Sequence, residues 1–535
     1  MLLDRFRSRV NVLALATAIV VCGTVPVGFA ADAIAAQKPD TANQPWAVFW
    51  VSSLGRTMAA CDLIFEAADR ADLAESLEDR LKDYQAFAGI DRKRPLGVMW
   101  TWSDVEPPAT IFLPVGQIDQ LMKTATFDVV GFHQVAKDRY EIERPGSPYH
   151  VLLRADFALL GDDIEALRAL RQTPDQLTKG LRERYDAGLH VDLRQIPRAS
   201  KELWIDELKN QVEPWLQPQD DEPTDSAALR RAVGGSLLKL VTRLILDLRT
   251  ITLGGRLDPE SHQLSLELMV QSEPGSELAR SWNKLVLLHS EFSALITPKA
   301  LAGLAINWPL NALGKDVVEQ LLDEPLKGAR INAGIQVVGQ GWGQSAVIVG
   351  LHGAEAAALN AAIPQLIVRL EKSGHFSSVC DNADIHRGVV IHSVVPNEIP
   401  ELLGQLVGPE VEVLIGQGKQ TVWLAIGNPE TLPTHLQQAI DAVEDAPADE
   451  RSKGLLNGRF AVGTPPPVGT PPPVEAPPPG TVAREVAVPN LGDALRLTMT
   501  PGGDSLKVRL TAEKGVLRLI GLDWARQVDQ INALK

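Results

Sequence analysis

Residues 248–270 read LRTITLGGRLDPESHQLSLELMV. Within them Leu264, Leu266, Leu268 and Val270 alternate with Ser265, Glu267 and Met269. That period of two is the signature of a β-strand with one buried face. Two further stretches are built the same way. Residues 329–351 (ARINAGIQVVGQGWGQSAVIVGL) place a Gly-rich turn between two apolar runs. Residues 494–511 (ALRLTMTPGGDSLKVRLT) turn at Pro501-Gly502-Gly503-Asp504, after which Leu506, Val508 and Leu510 alternate with Lys507 and Arg509. All three open with Ala or Leu, then Arg, then a strand-prone residue, and the first two run on into helix-like sequence.

A second recurrence points the same way. Residues 149–170 (YHVLLRADFALLGDDIEALRAL) and 421–443 (TVWLAIGNPETLPTHLQQAIDAV) both run from strand through turn into helix. Asp162 with Glu165 fits a capping box, and Asn428 with Pro429 fits an N-cap followed by proline. The fold class read from these patterns is α+β: repeated antiparallel β-hairpin plus helix modules, a divergent internal repeat packed into two or more units.

Working outward, the expected organisation is a signal peptide (1–36), an N-terminal α+β module (45–175), a second (176–290), a third (291–445), a Pro-rich disordered linker (446–485) and a small C-terminal hairpin-helix segment (486–535). The linker contains TPPPVGTPPPVEAPPPG, whose prolines fix φ and remove backbone donors, favouring polyproline II. The C-terminal segment reads as a hairpin, a strand over 516–521 (VLRLIG) and an amphipathic end helix with Leu522, Val528, Ile531 and Leu534. So short a unit is expected to dock on the main body.

Arg5, Arg7 and Arg9 precede the apolar run Val10–Val21, with small residues at cleavage spacing at Gly28-Phe29-Ala30 and Ala33-Ile34-Ala35. This is a secretory signal, too short for a span of roughly 20 residues. The expected location is therefore periplasmic or extracellular. The alternatives are a lipid anchor through Cys22 or retention by an uncleaved N-terminal segment. No transmembrane span is expected in the mature chain.

The 535-residue chain is 45% hydrophobic and carries a net charge of −15. Such acidity argues against a nucleic-acid partner, since phosphate neutralisation requires clustered cations. Beyond Cys22 only Cys61 and Cys380 remain, enough for one disulfide or two separate thiols, and too few for a disulfide scaffold.

Reactive constellations are sparse. His375, Cys380, Asp384, His386 and His392 crowd one stretch (HFSSVCDNADIHRGVVIH) and offer zinc-type ligands, though at no standard zinc spacing; a polar loop leading into a strand is the competing reading. Gly343-Gln344-Ser345-Ala346 lacks the second glycine of a nucleophile elbow, and Gly416-Gln417-Gly418-Lys419-Gln420-Thr421 breaks the phosphate-loop order. No catalytic residue and no cofactor follow from the sequence. The expected function is non-enzymatic binding or scaffolding in the cell envelope, toward a protein partner or an apolar ligand such as lipid. The contrasting expectation is a secreted hydrolase, with zinc at the cluster from His375 to His392 as its most concrete form.

Overall fold

The computed structural model describes residues 44–83, 87–103, 107–122, 132–143, 148–217, 224–286, 288–309, 330–339, 343–447, 454–461 and 493–533. Residues 1–36, expected to be a signal peptide, and the proline triplets lie outside these residues. In chain order the elements are β1 (Pro45–Val51), α1 (Leu54–Ala67), α2 (Ala71–Asp83), β2 (Leu96–Thr101), β3 (Ala109–Pro114), α3 (Ile118–Met122), β4 (Phe132–Ala136), β5 (Arg139–Ile142), β6 (Tyr149–Arg154), β7 (Phe157–Gly161), α4 (Ile164–Ala169), α5 (Pro174–Arg182) and β8 (Ala187–Asp192). They continue with α6 (Arg198–Leu216), α7 (Thr224–Asp247), β9 (Leu248–Asp258), β10 (Gln263–Ser272), α8 (Glu277–Leu285), β11 (Ala302–Pro309), β12 (Arg330–Gly339), β13 (Ser345–His352) and α9 (Ala354–Ser373). The last are β14 (Phe376–His386), β15 (Val389–Pro396), α10 (Glu401–Val407), β16 (Glu412–Gln417), β17 (Thr421–Gly427), α11 (Leu432–Glu444), β18 (Leu456–Ala461), β19 (Ala494–Gly502), β20 (Ser505–Ala512) and α12 (Lys514–Ala533). This mixture of helices with antiparallel strands is an α+β architecture.

Two compact units divide the chain, one of residues 1–55 and 81–199, the other of 56–80 and 200–535. In the first, strands pair antiparallel in the order β8-β1-β2-β3-β7-β6-β5-β4. In the second the order is β9-β10-β20-β19-β18-β11-β12-β13-β17-β16-β15-β14. The stretch β11–β18 thus repeats the strand order of β1–β8, with a helix after the third strand (α3, α9) and after the seventh (α4, α11). The equivalence matches β12–β13 to β2–β3, so the three hairpins that look alike in sequence do not occupy alike positions.

Each arrangement has a helix-covered core. In the first unit Trp50, Met99, Phe112, Phe157 and Leu159 pack with Leu167 and Leu170, Phe112 meeting Phe157 edge-on at 6.2 Å. In the second, Ile348, Leu414, Trp423 and Ala425 pack under Leu432, Leu436 and Ile440 of α11. Gly334 stands opposite Gly350 there, and the Phe292 ring fills the slot they leave. A Cβ on Gly350 would lie 2.3 Å from that ring, so only glycine admits it.

Several expectations are corrected. Residues 516–521 belong to α12, because Leu517, Ile520 and Trp524 recur at helical spacing and meet Leu257, Leu264 and Ile64. Residues 456–461, inside the stretch read as linker, form β18 between β11 and β19; the neighbouring prolines masked a short strand pattern. The C-terminal hairpin β19–β20 is internal to the sheet, held by β18 and β10. The cap of α4 is Asp163, not Asp162, and α11 begins after Thr431, not at Asn428. The capping box lies instead at Thr173 and Gln176 of α5. Cys61 is buried and Cys380 exposed, and they are not bridged. Among the described residues no helix is long and apolar enough to cross a membrane.

Candidate functional site

Strand β10 departs from the burial that its alternation predicts. Its alternation calls for a buried leucine face, yet Leu266 is 41% exposed while Glu267 is 6% exposed. Glu267 is held on the opposite face by Arg509, with Nη2 at 2.7 Å, and by Lys507 Nζ at 3.6 Å. On other strands Thr252, Asn307, Asn332, Gln336 and Arg459 are buried too, whereas on β20 and β19 the polar side chains are the open ones, Arg509 being 52% and Arg496 54% exposed. On the other face aliphatic side chains stay half open to solvent.

Those side chains form a row, because residues directly opposite across paired strands share a face. Leu266 stands opposite Leu510, Leu510 opposite Leu497, Leu497 opposite Gly458 and Gly458 opposite Leu304. The register continues through Ile335 and Val349 to Leu424. From β10 to β17 this is seven strand-to-strand steps, about 34 Å at about 4.8 Å each. Ile335 is 36% and Leu424 38% exposed. Flanking positions are of the same kind, with Leu253 and Leu268 on one side and Phe460 on the other.

Among the described residues helices cover the row at both ends, and between them Leu510, Leu497, Leu304 and Val349 are partly buried while Leu266, Ile335 and Leu424 are exposed. At one end Leu517 of α12 covers Leu257 and Leu264. At the other Ile363 and Ile367 of α9 cover Ile415 and Val394. Leu359 and Leu366 of α9, seven residues apart and hence on one flank of the helix, are also exposed. Past Leu424 the register runs through Ile415 to His392, which is 3% exposed.

The sequence cluster from His375 to His392 resolves into an edge hairpin, not a polar loop. Arg387 and Gly388 take positive φ of 49° and 77°, making a tight two-residue turn between β14 and β15. His386 Nε2 lies 2.8 Å from Asp441 of α11, Arg387 bonds Asp445, and Gln437 donates to Asp384 at 2.9 Å. The hydrogen bond from His386, joined by the Arg387 charge, holds the Asp441 carboxyl below the usual carboxylate range. His392 Nδ1 sits 2.6 Å from Asp381, while Cys380 faces solvent. His375 precedes the strand, its carbonyl accepting from Asn397 N–H at 2.9 Å. The five residues are engaged separately, and among the described residues no three His, Cys, Asp or Glu gather as metal ligands. Cys61 instead packs with Phe65, Leu73 and Ala525, where burial pushes its thiol up to about 11.

The alternation that marks the row was legible in the sequence, but which face stays open was not. No family model, no curated protein and no solved structure matches the chain.

Proposed function

We propose that the chain is an exported envelope protein that binds an extended apolar ligand, a lipid acyl chain, on the open face of its twelve-stranded sheet. One observation carries this reading: in one row across the sheet Leu266, Ile335 and Leu424 are 36–41% exposed, while Glu267 and Gln336, next to them in sequence on the other face, are buried. Soluble proteins rarely leave a contiguous aliphatic patch of this extent uncovered. The row takes an aliphatic residue from every strand but β18, which gives Gly458, and carries no charge, whereas protein interfaces are marked by Tyr, Trp and Arg anchors. Its length compares with the roughly 30 Å hydrocarbon thickness of a bilayer, room for two acyl chains end to end. The reading includes export through the N-terminal signal, a proline tract acting as spacer between β18 and β19, and descent of β1–β8 and β11–β18 from one duplicated module.

The test is binding of a fluorescent long-chain fatty acid to the mature protein. Wild type is expected to bind, and Leu266→Asp with Leu424→Asp to bind at least tenfold more weakly while keeping a cooperative melt. Absence of binding in wild type, or binding undiminished in the double variant, overturns the reading.

A further inference from the structure

The face of the second unit's sheet opposite the aliphatic row holds a cavity of about 410 Å³, in the size range of small-molecule sites. It lies where the loop at residues 297–299 and strand β12 meet helix α11. Register explains why β12 serves both faces. Ile335 belongs to the row, and Gln336, next to it, and Val338, two residues further on, point to the other face and line the cavity.

Its chemistry is specific. Thr297, Lys299, Gln336, His435 and Gln438 supply one ammonium, one imidazole, one hydroxyl and two amides. Gln336 is 7% exposed and its amide nitrogen donates to Leu295 O at 2.9 Å, so the side chain is fixed in place. Ala439, Ala442 and Val338 form the apolar part of the wall. Among the described residues no Asp or Glu lines the cavity, in a chain whose net charge is −15. Excluding carboxylates from one cavity of an acidic protein, while placing a lysine there, complements a negative ligand.

We infer that this cavity binds a small monocarboxylate, its carboxylate paired with Lys299 and its short alkyl part against Ala439 and Ala442. Partial burial keeps the pKa of His435 below that of an ordinary imidazole, so near neutral pH it offers a hydrogen bond without adding charge. One cation then matches one anionic charge, and a second negative charge on the ligand would be left without a partner. This selects a carboxylate over a phosphate. The assignment is independent of the acyl-chain reading, since the two sites lie on opposite faces.

The experiment is saturation-transfer NMR with butyrate on the mature chain, followed by titration calorimetry with butyrate and with inorganic phosphate. Butyrate is expected to bind, and Lys299→Met to weaken it by about tenfold or more, as loss of a charged hydrogen bond implies. Ala442→Trp, which fills the space at a position that is not fully buried, is expected to abolish binding without lowering the melting temperature. The row variant Leu266→Asp/Leu424→Asp is expected to bind butyrate as wild type does, which separates failure of this site from failure of the other. The inference is overturned if wild type gives no butyrate signal or if phosphate binds more tightly than butyrate. Retention of full affinity by both cavity variants, or its loss in the row variant, overturns it equally.

Discussion

The regions β1–β8 and β11–β18 have one strand order and opposite fates for the same face. In the first, the row Phe49, Val98, Ile111, Leu160 and Val151 runs across β1, β2, β3, β7 and β6. In the second, the corresponding row is Leu304, Ile335, Val349, Leu424 and Ile415. Leu160 is 6% exposed and Leu424 38%. Strand order therefore does not decide whether the row is open. The connections do. In the first region Ile90, Ile118 and Leu121 close over it, joined by the bridge between Ile90 and Val115. In the second, the long helix α9 lies toward β14–β17 and caps only the far end of the row.

Truncating the two matched leucines should separate the two regions most strongly. Leu160→Ala removes a buried side chain packed on three neighbours' worth of strands and is expected to cost about 2–5 kcal/mol. Leu424→Ala removes one that already touches solvent, and is expected to cost under about 1 kcal/mol. Urea denaturation of the two variants measures the difference. Equal costs would mean that the open row is as tightly covered as the closed one, and would remove the basis for a ligand there.

The opposite faces sharpen the contrast at a smaller scale. Where the first region has Phe112 facing Gly97 across β2 and β3, the second has Gly350 facing Gly334 and takes its aromatic ring from Phe292. Phe292 is fully buried and meets Trp423 edge-on at 5.6 Å, so it has little room to retreat. Gly350→Ala is expected to destabilise the second unit by about 1–3 kcal/mol through overpacking. A neutral result in the same denaturation assay would show that the slot is loose and that the two regions solve their cores alike.

How much of this was legible in the sequence follows from the kind of information each feature needs. The strands β9, β10, β12, β13, β19 and β20 were readable because alternation and Gly-containing turns are local. The strand-turn-helix likeness of β7–α4 and β17–α11 was readable for the same reason, and these elements do occupy matching places. Helix α12 was misread over 516–521 because Val, Leu and Ile in a short run suit either period until a partner fixes one. The open row could not be found locally. Alternation states that Leu266 and Glu267 face opposite ways, but it takes Arg509 and Lys507, more than 200 positions away, to pair with Glu267 where it is buried. The cavity is less legible still, since Lys299, Gln336 and His435 come from three separate elements with no common spacing.

The smallest expected effect concerns the β14–β15 turn, which the second region ties to α11 through His386, Arg387, Asp441 and Asp445. Asp441 is the shared acceptor, and its folded carboxyl lies below its unfolded value because His386 and Arg387 favour the ionised form. A depressed acid stabilises the fold at pH above its unfolded pKa, and that contribution fades as pH falls through the folded one. Asp441→Asn keeps an oxygen acceptor for His386 and removes the charge. Thermal melts of wild type and variant are therefore expected to differ slightly at pH 5–7, wild type being the more stable, and to converge as the pH drops below the ordinary carboxylate range. Because the group faces solvent, the difference should also shrink with added salt. A gap that widened toward acid pH would mean that the neutral form is the one the turn holds, and that the hairpin is anchored by packing instead of by this cluster of charges.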